Sequence, residues 1–251
     1  MTKLFGRILA GCAASLLLTA TASADIIGLN GTYLSWFDSA AVLTGGGHTV
    51  VSNINLNAPI TVDVLYLDRD ALLSGSQAAN VRSYLEGGGC VITEFSATQY
   101  WFNGTLASFA GSLVNSFHFE GASIPVNVDL PADPLAAGLP GTWNSGNPIQ
   151  FFNVFSGIDA AITLPISVNS SFYGKLPVVG HAAVGSGTAI MFFSDFGDFV
   201  TNDYHPAEAQ LLLNAAMCGA SHPAVPEPGT IAMGVGLVLG AGAALRRRRA
   251  A

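Results

Sequence analysis

Charge is the scarcest property of this sequence, and positive charge above all. Only 10% of the 251 residues are charged, whereas 50% are hydrophobic. A usual soluble domain carries about 25% charged residues. Between Asp25 and His222 the only cations are Arg69, Arg82 and Lys175, against fifteen Asp and Glu, a formal charge of −12. Three cations cannot displace the counterions of several phosphates, so nucleic-acid binding is excluded, as is adsorption to an anionic membrane surface. Cysteine is nearly absent too: Cys12, Cys90 and Cys218 form no Cys-x-x-Cys pair and no Cys/His cluster, which leaves a zinc site without ligands. There is no Gly-x-Ser-x-Gly elbow. The glycine triplets Gly45–Gly47 and Gly87–Gly89 follow helical patterns, so they read as helix stops rather than phosphate cradles. No repeat of fixed period is visible.

The long apolar runs lie at the two ends. Residues 1–24 carry Lys3 and Arg7, an apolar run from Ile8 to Ala20, and the small-x-small exit Ala22-Ser23-Ala24. This is the pattern of a secretory signal peptide removed by signal peptidase after Ala24. Leu9-Ala10-Gly11-Cys12 has the look of a lipoprotein box, but the apolar stretch before Cys12 is too short and the main run follows it. At the other end, residues 223–251 contain Pro226-Glu227-Pro228, the uncharged stretch Thr230–Leu245, and Arg246, Arg247, Arg248 and Arg249. Sixteen residues span about 24 Å as a helix, short of a ~30 Å bilayer core but extended by snorkelling arginines. Clustered arginines stay cytoplasmic, which puts the body of residues 25–222 outside the inner membrane.

The order Pro-Glu-Pro, apolar helix, arginine cluster resembles the PEP-CTERM sorting signal of Gram-negative bacteria. That resemblance implies an exosortase as processing partner, transient anchoring in the inner membrane, and a cell-surface or extracellular destination tied to exopolysaccharide and biofilm. Once Cys12 leaves with the signal peptide, Cys90 and Cys218 remain as an even pair in an exported chain, which favours a disulfide; two separate buried thiols are the alternative.

In the body, strands are expected at Asp25–Leu29, His48–Ile54, Val62–Leu67, Cys90–Phe95 and Thr188–Ser194. Helices are expected at Trp36–Leu43, Ser76–Leu85, Thr105–Leu113 and Ala207–Met217. Short strands such as Phe117–Glu120, Ile124–Val128 and Ile162–Val168 fall in a Pro- and Gly-rich middle section. Strands alternating with helices argue for an α/β fold with a parallel sheet. Four segments carry a further resemblance: Val64–Asp68, Val81–Ile92, Asp133-Pro134-Leu135-Ala136-Ala137-Gly138-Leu139-Pro140, and Gly185–Ile190. In this order they resemble class I glutamine amidotransferase-like domains, including the trehalose-utilisation-protein-like branch. The resemblance implies a flavodoxin-like three-layer sandwich with a mostly parallel central sheet. It also exposes what is missing. Active members carry a cysteine on a sharp turn after a strand, flanked by glycines, where this chain has Glu94-Phe95-Ser96-Ala97-Thr98. Their His-x-Glu pair has no equivalent beside Ser194-Asp195-Phe196, and Asp133 replaces the usual histidine of the third segment.

Ligands of open parallel sheets bind beyond the carboxyl ends of the strands. That rule gathers Asp68, Asp70, Glu94, Asp195 and Asp198, a carboxylate set able to hold calcium through oxygen, with Tyr100 and Trp101 as surfaces on which a sugar could stack. The same acids could simply cap helices, and the aromatics could pack beneath a loop. Ser96, His205 and Asp195 are the residues from which a nucleophilic triad could be assembled. Two functional expectations follow. The first is a non-enzymatic, exported surface or matrix protein binding carbohydrate or calcium. The second is an exported hydrolase acting on a polysaccharide or ester.

Overall fold

The computed structural model describes residues 25–31, 39–69, 71–121, 123–146, 149–196 and 204–218. The signal peptide, the sorting tail with Pro226, Glu227, Pro228 and Arg246–Arg249, and the candidate ligands Asp70 and Asp198 lie outside these residues. Among the described residues no helix is long and apolar enough to cross a membrane.

Five strands form a parallel array: β1 (Ile26–Asn30), β2 (Thr49–Ser52), β3 (Val64–Leu67), β4 (Cys90–Glu94) and, late in the chain, β11 (Gly187–Phe192), in the order β2-β1-β3-β4-β11. The continuous apolar runs of β3 and β4 fit burial on both faces, and all nine of their residues are buried. Alternation along the strands divides the side chains between two cores. Tyr66, Ile92, Ile190 and Phe192 face helices α1 (Ser39–Gly45) and α3 (Pro206–Ala216). Leu65, Leu67, Val91 and Met191 face helix α2 (Gly75–Glu86). Two helical layers around one sheet make the expected three-layer α/β sandwich.

Local chemistry sets the helix ends. Ser74 and Gln77 form a capping box that opens α2, and the Gly87 amide closes it on Ser83 and Leu85 carbonyls. At α3, His205 caps, Pro206 occupies the first turn, and the Glu208 side chain returns to the His205 backbone.

Beyond β11 the sheet continues in antiparallel pairing: β10 (Gly174–Val184), β9 (Thr163–Ser170), β6 (Pro125–Val128) and β7 (Thr142–Asn144). The sheet of nine strands is therefore mixed, its parallel half carrying the helices. The eleven-residue β10 escapes a pattern reading because Pro177 and Gly180 interrupt it. Both lie in the stretch where the register against β9 shifts, the usual place for such residues inside a strand. A separate ribbon pairs β5 (Ser112–Phe119) with β8 (Phe151–Ser156), and Phe152 bridges to Ser194.

The helix expected at Thr105–Leu113 does not form. Gly104 and Gly111 adopt positive φ there (+82° and +155°), the Leu106 amide folds back onto the Tyr100 carbonyl, and Ser112 already begins β5. The helical turn falls earlier, as a 3-10 segment from Phe95 to Trp101.

Candidate functional site

The carboxyl ends of β3, β4 and β11 converge as the strand-edge rule anticipates, and they bring together Asp68, Glu94 and Asp195, each fully buried. Two residues not anticipated complete the cluster. The hydroxyl of Tyr66, on β3, donates to Glu94 Oε2. The Arg69 guanidinium meets Asp195 Oδ2 at 2.5 Å. A tyrosine in the middle of an apolar strand had to find a polar partner, and Arg69 is one of only three body cations; these were the signals available in the sequence. Asp68 sits against Gly31, whose absent side chain leaves the space for the carboxyl: a Cβ built on Gly31 would lie 1.7 Å from Asp68 Oδ1.

Burial, and next the neighbouring Asp195 charge, push the Glu94 carboxyl well above its ordinary range, against the lowering influence of hydrogen bonds from Tyr66 and the Arg69 backbone. Burial thus favours the neutral form of Glu94. Its second oxygen, Oε1, is buried and has no hydrogen-bond partner. The Tyr66 phenol is likewise raised well above its usual value, by burial and then by Glu94. Two carboxyls with opposed environments form a combination that acid–base enzymes use. Here both are fully enclosed.

The turn after β4 is the strained feature. Phe95 has φ +44°, a conformation costly for a bulky residue and characteristic of functional turns. It lies in the turn Glu94–Thr98, the segment where the resemblance implies a cysteine and this chain has none. The Phe95 ring packs edge-on against Phe117, with centroids 6.0 Å apart.

The triad is not brought together by hydrogen bonds. The Ser96 hydroxyl donates to the Arg69 carbonyl. His205 Nδ1 accepts from the Ala207 amide at 3.2 Å as the α3 cap, and the ring stacks towards Trp143. Asp195 is bound by Arg69. The aromatic pair also differs from expectation. Trp101 is fully buried and its indole N–H donates to Thr93 Oγ1 at 2.6 Å. The Tyr100 hydroxyl donates to the Ala71 carbonyl at 2.7 Å and accepts from the Leu73 amide. Tyr100 thus clamps the loop after β3 and is half-buried, whereas the enclosed Trp101 is tied to β4 and offers no ring to a sugar. For calcium, no three His, Cys, Asp or Glu among the described residues are arranged to hold a metal ion.

At the opposite end of the sheet, Cys90 opens β4 and Cys218 follows α3, joined in a disulfide with Cα atoms 6.0 Å apart. Beside it lies a cleft of about 360 Å³, edged by Asp133 and His181. Asp133, the residue replacing the family's histidine, is paired there with His181 Nε2 at 2.8 Å and caps the turn at Leu135.

The sequence matches no protein-family model and no curated protein. Its fold, however, is shared with solved structures. A ThuA-like protein from Parabacteroides merdae ATCC 43184 superposes with a TM-score of 0.59 at 13% identity, over 80% of this chain and 92% of the other. A ThuA-like protein from Bacteroides uniformis ATCC 8492 gives 0.55 at 13% identity, over 82% and 95%. The fold is glutamine amidotransferase-like. A β-galactosidase from Bacillus circulans sp. alkalophilus also contains this fold, with a TM-score of 0.53 at 11% identity, over 79% of this chain but 31% of the enzyme. At these identities the likeness is one of architecture.

Proposed function

We propose that this chain is an exported, exosortase-sorted, non-enzymatic protein of the cell surface or extracellular matrix, acting with exopolysaccharide in biofilm. One observation carries the non-enzymatic half: the turn after β4, where the resemblance implies a cysteine, has none, and the hydroxyl of its Ser96 is engaged by the Arg69 carbonyl. The Cys90–Cys218 disulfide supports the exported half, since such bonds persist in oxidising compartments and are rare in the cytosol. The acidic body fits a partner that is neither nucleic acid nor an anionic surface.

The hydrolase reading needs a carboxylate or hydroxyl that a substrate can touch. Glu94 and Asp195 are fully buried, which disfavours it. The test is genetic and biochemical together. In cells lacking the exosortase, the protein is expected to stay in the inner membrane at its unprocessed size instead of reaching the surface. Unchanged size and location in those cells would reject the sorting reading. Hydrolysis of a polysaccharide or ester by the purified chain, lost in Ser96→Ala or Glu94→Gln, would reject the non-enzymatic one.

A further inference from the structure

We infer that the amino-terminal edge of the parallel strands, where Cys90 and Cys218 are bonded, faces the inner membrane while the chain is anchored. The carboxyl edge with Asp68, Glu94 and Asp195 then points away from the bilayer. The inference rests on the sorting role proposed above and names the surface that the anchored body presents to the membrane.

Both exits from the body lie at this one edge. Asp25, the first residue after the expected signal-peptide cut, immediately precedes β1, and its carbonyl accepts from the Thr49 amide where β2 starts. Ile27 of β1 is in register with Val64 of β3, and Val64 with Cys90 of β4. Two strand spacings therefore separate Ile27 from Cys90, about 10 Å. Cys218, from which the tail continues, has its Cα 6.0 Å from that of Cys90. The last turn of a helix can fray, and here the disulfide ties the root of the tail to a strand in the middle of the sheet.

The tether is short against the body. Eleven residues, 219–229, separate Cys218 from Thr230, where the apolar stretch begins. Fully extended they reach at most about 38 Å, and as a coil they span on the order of 18 Å. A body the length of residues 25–222 has a radius of gyration of about 16 Å and is on the order of 40 Å across. Rolling the root of the tail away from the bilayer stretches the tether, and a fully inverted body would need all of it. Before signal peptidase acts, the second tether is shorter still: Thr21-Ala22-Ser23-Ala24 alone stand between the apolar run and Asp25.

Charge decides how closely the edge approaches. Asp63, just before β3, and Glu86, at the end of α2, are exposed there. Anionic headgroups repel them, so the edge faces the bilayer without lying on it. The gap leaves Pro226-Glu227-Pro228 between body and membrane, within reach of a membrane-bound protease.

The test is energy transfer to the membrane surface. The chain with its tail intact, taken from cells lacking the exosortase, is reconstituted in phosphatidylcholine vesicles carrying a rhodamine-headgroup lipid as acceptor. A donor dye is attached through p-azidophenylalanine in place of either Glu86 or Leu72, which leaves both cysteines untouched. Leu72 follows β3 at the carboxyl edge and is 86% exposed, so neither dye displaces a core residue. The expected result is transfer roughly twofold or more stronger from position 86 than from position 72, with the difference lost when a long Gly/Ser spacer is inserted after Ala220. Equal transfer from vesicle-bound chains, or stronger transfer from position 72, overturns the inference and leaves the sorting reading standing. A difference that survives the spacer undiminished also overturns it, because adsorption of the body and not the tether would then set the orientation. A chain that does not float with the vesicles fails the sorting reading itself and removes the inference with it.

Discussion

Arg69 and Asp195 stand 126 positions apart in the chain and meet at 2.5 Å across the carboxyl end of β4, which separates β3 from β11. The carboxylate is fully enclosed and the guanidinium largely so. Removing one partner of a buried pair leaves an uncompensated charge and costs about 3–5 kcal/mol. Arg69→Ala is therefore expected to lower the urea midpoint severely. Arg69→Ala combined with Asp195→Asn should recover part of the loss, because the stranded charge is gone. Equal stability of the single variant and the parent in urea titration would show that the pair does not hold this edge together.

Glu94 gives the site a pH dependence with a defined sign. Burial holds its folded-state pKa well above the ordinary carboxylate range, so above the unfolded pKa there is a window in which the folded chain keeps a proton that the unfolded chain releases. Stability contributed by the protonated carboxyl is complete below the unfolded pKa and is lost as pH rises through the folded one. Glu94→Gln, neutral at all pH values and able to accept from Tyr66, should be more stable than the parent above pH 4.5, with a gap that widens as pH rises. Urea midpoints measured from pH 4 to 8 check this; a gap independent of pH would mean that Glu94 does not titrate in the window.

These two residues also mark what the sequence could and could not disclose. The carboxyl ends of the strands were legible because continuous apolar runs end in Asp68, Glu94 and Asp195, and the elbow was legible by analogy. The pairings were not: that Asp195 meets Arg69 depends on β3 and β11 flanking β4, and the β4–β11 contact is made across almost 100 residues. Whether Trp101 and Tyr100 stack on a sugar or pack beneath a loop stayed open in the sequence, because an aromatic run beside an acidic edge looks the same whether its N–H and O–H tips bond inward or face water; the indole of Trp101 is buried. The antiparallel half of the sheet was hidden by Pro177 and Gly180, which break the pattern of β10 without breaking the strand.

The disulfide lends itself to a direct measurement. Cys90 and Cys218 close a loop of 128 residues between the start of β4 and the end of α3. Loop-entropy arguments put the stabilisation at about 4–5 kcal/mol for a loop of this length. Protein isolated from its native compartment should show no alkylation at either cysteine by mass spectrometry until it is reduced. Reduction, or Cys218→Ser, should lower the melting temperature. Two alkylated thiols without reduction would remove both the bridge and its support for an oxidising compartment.

Trp101 separates packing from recognition. Its indole is buried beside Leu106, Phe155 and Phe193 in the core on the α2 side, and its N–H is bound by Thr93 Oγ1. Trp101→Phe removes that hydrogen bond and leaves a gap in a packed region, a loss of about 1–3 kcal/mol. A Phe117→Ser, Phe119→Ser variant should by contrast keep its melting temperature within a few degrees, since both rings are about half exposed. Should Trp101→Phe leave the melt unaltered while the double variant lowers it, the indole would not be the packed group that its enclosure and its bond to Thr93 describe.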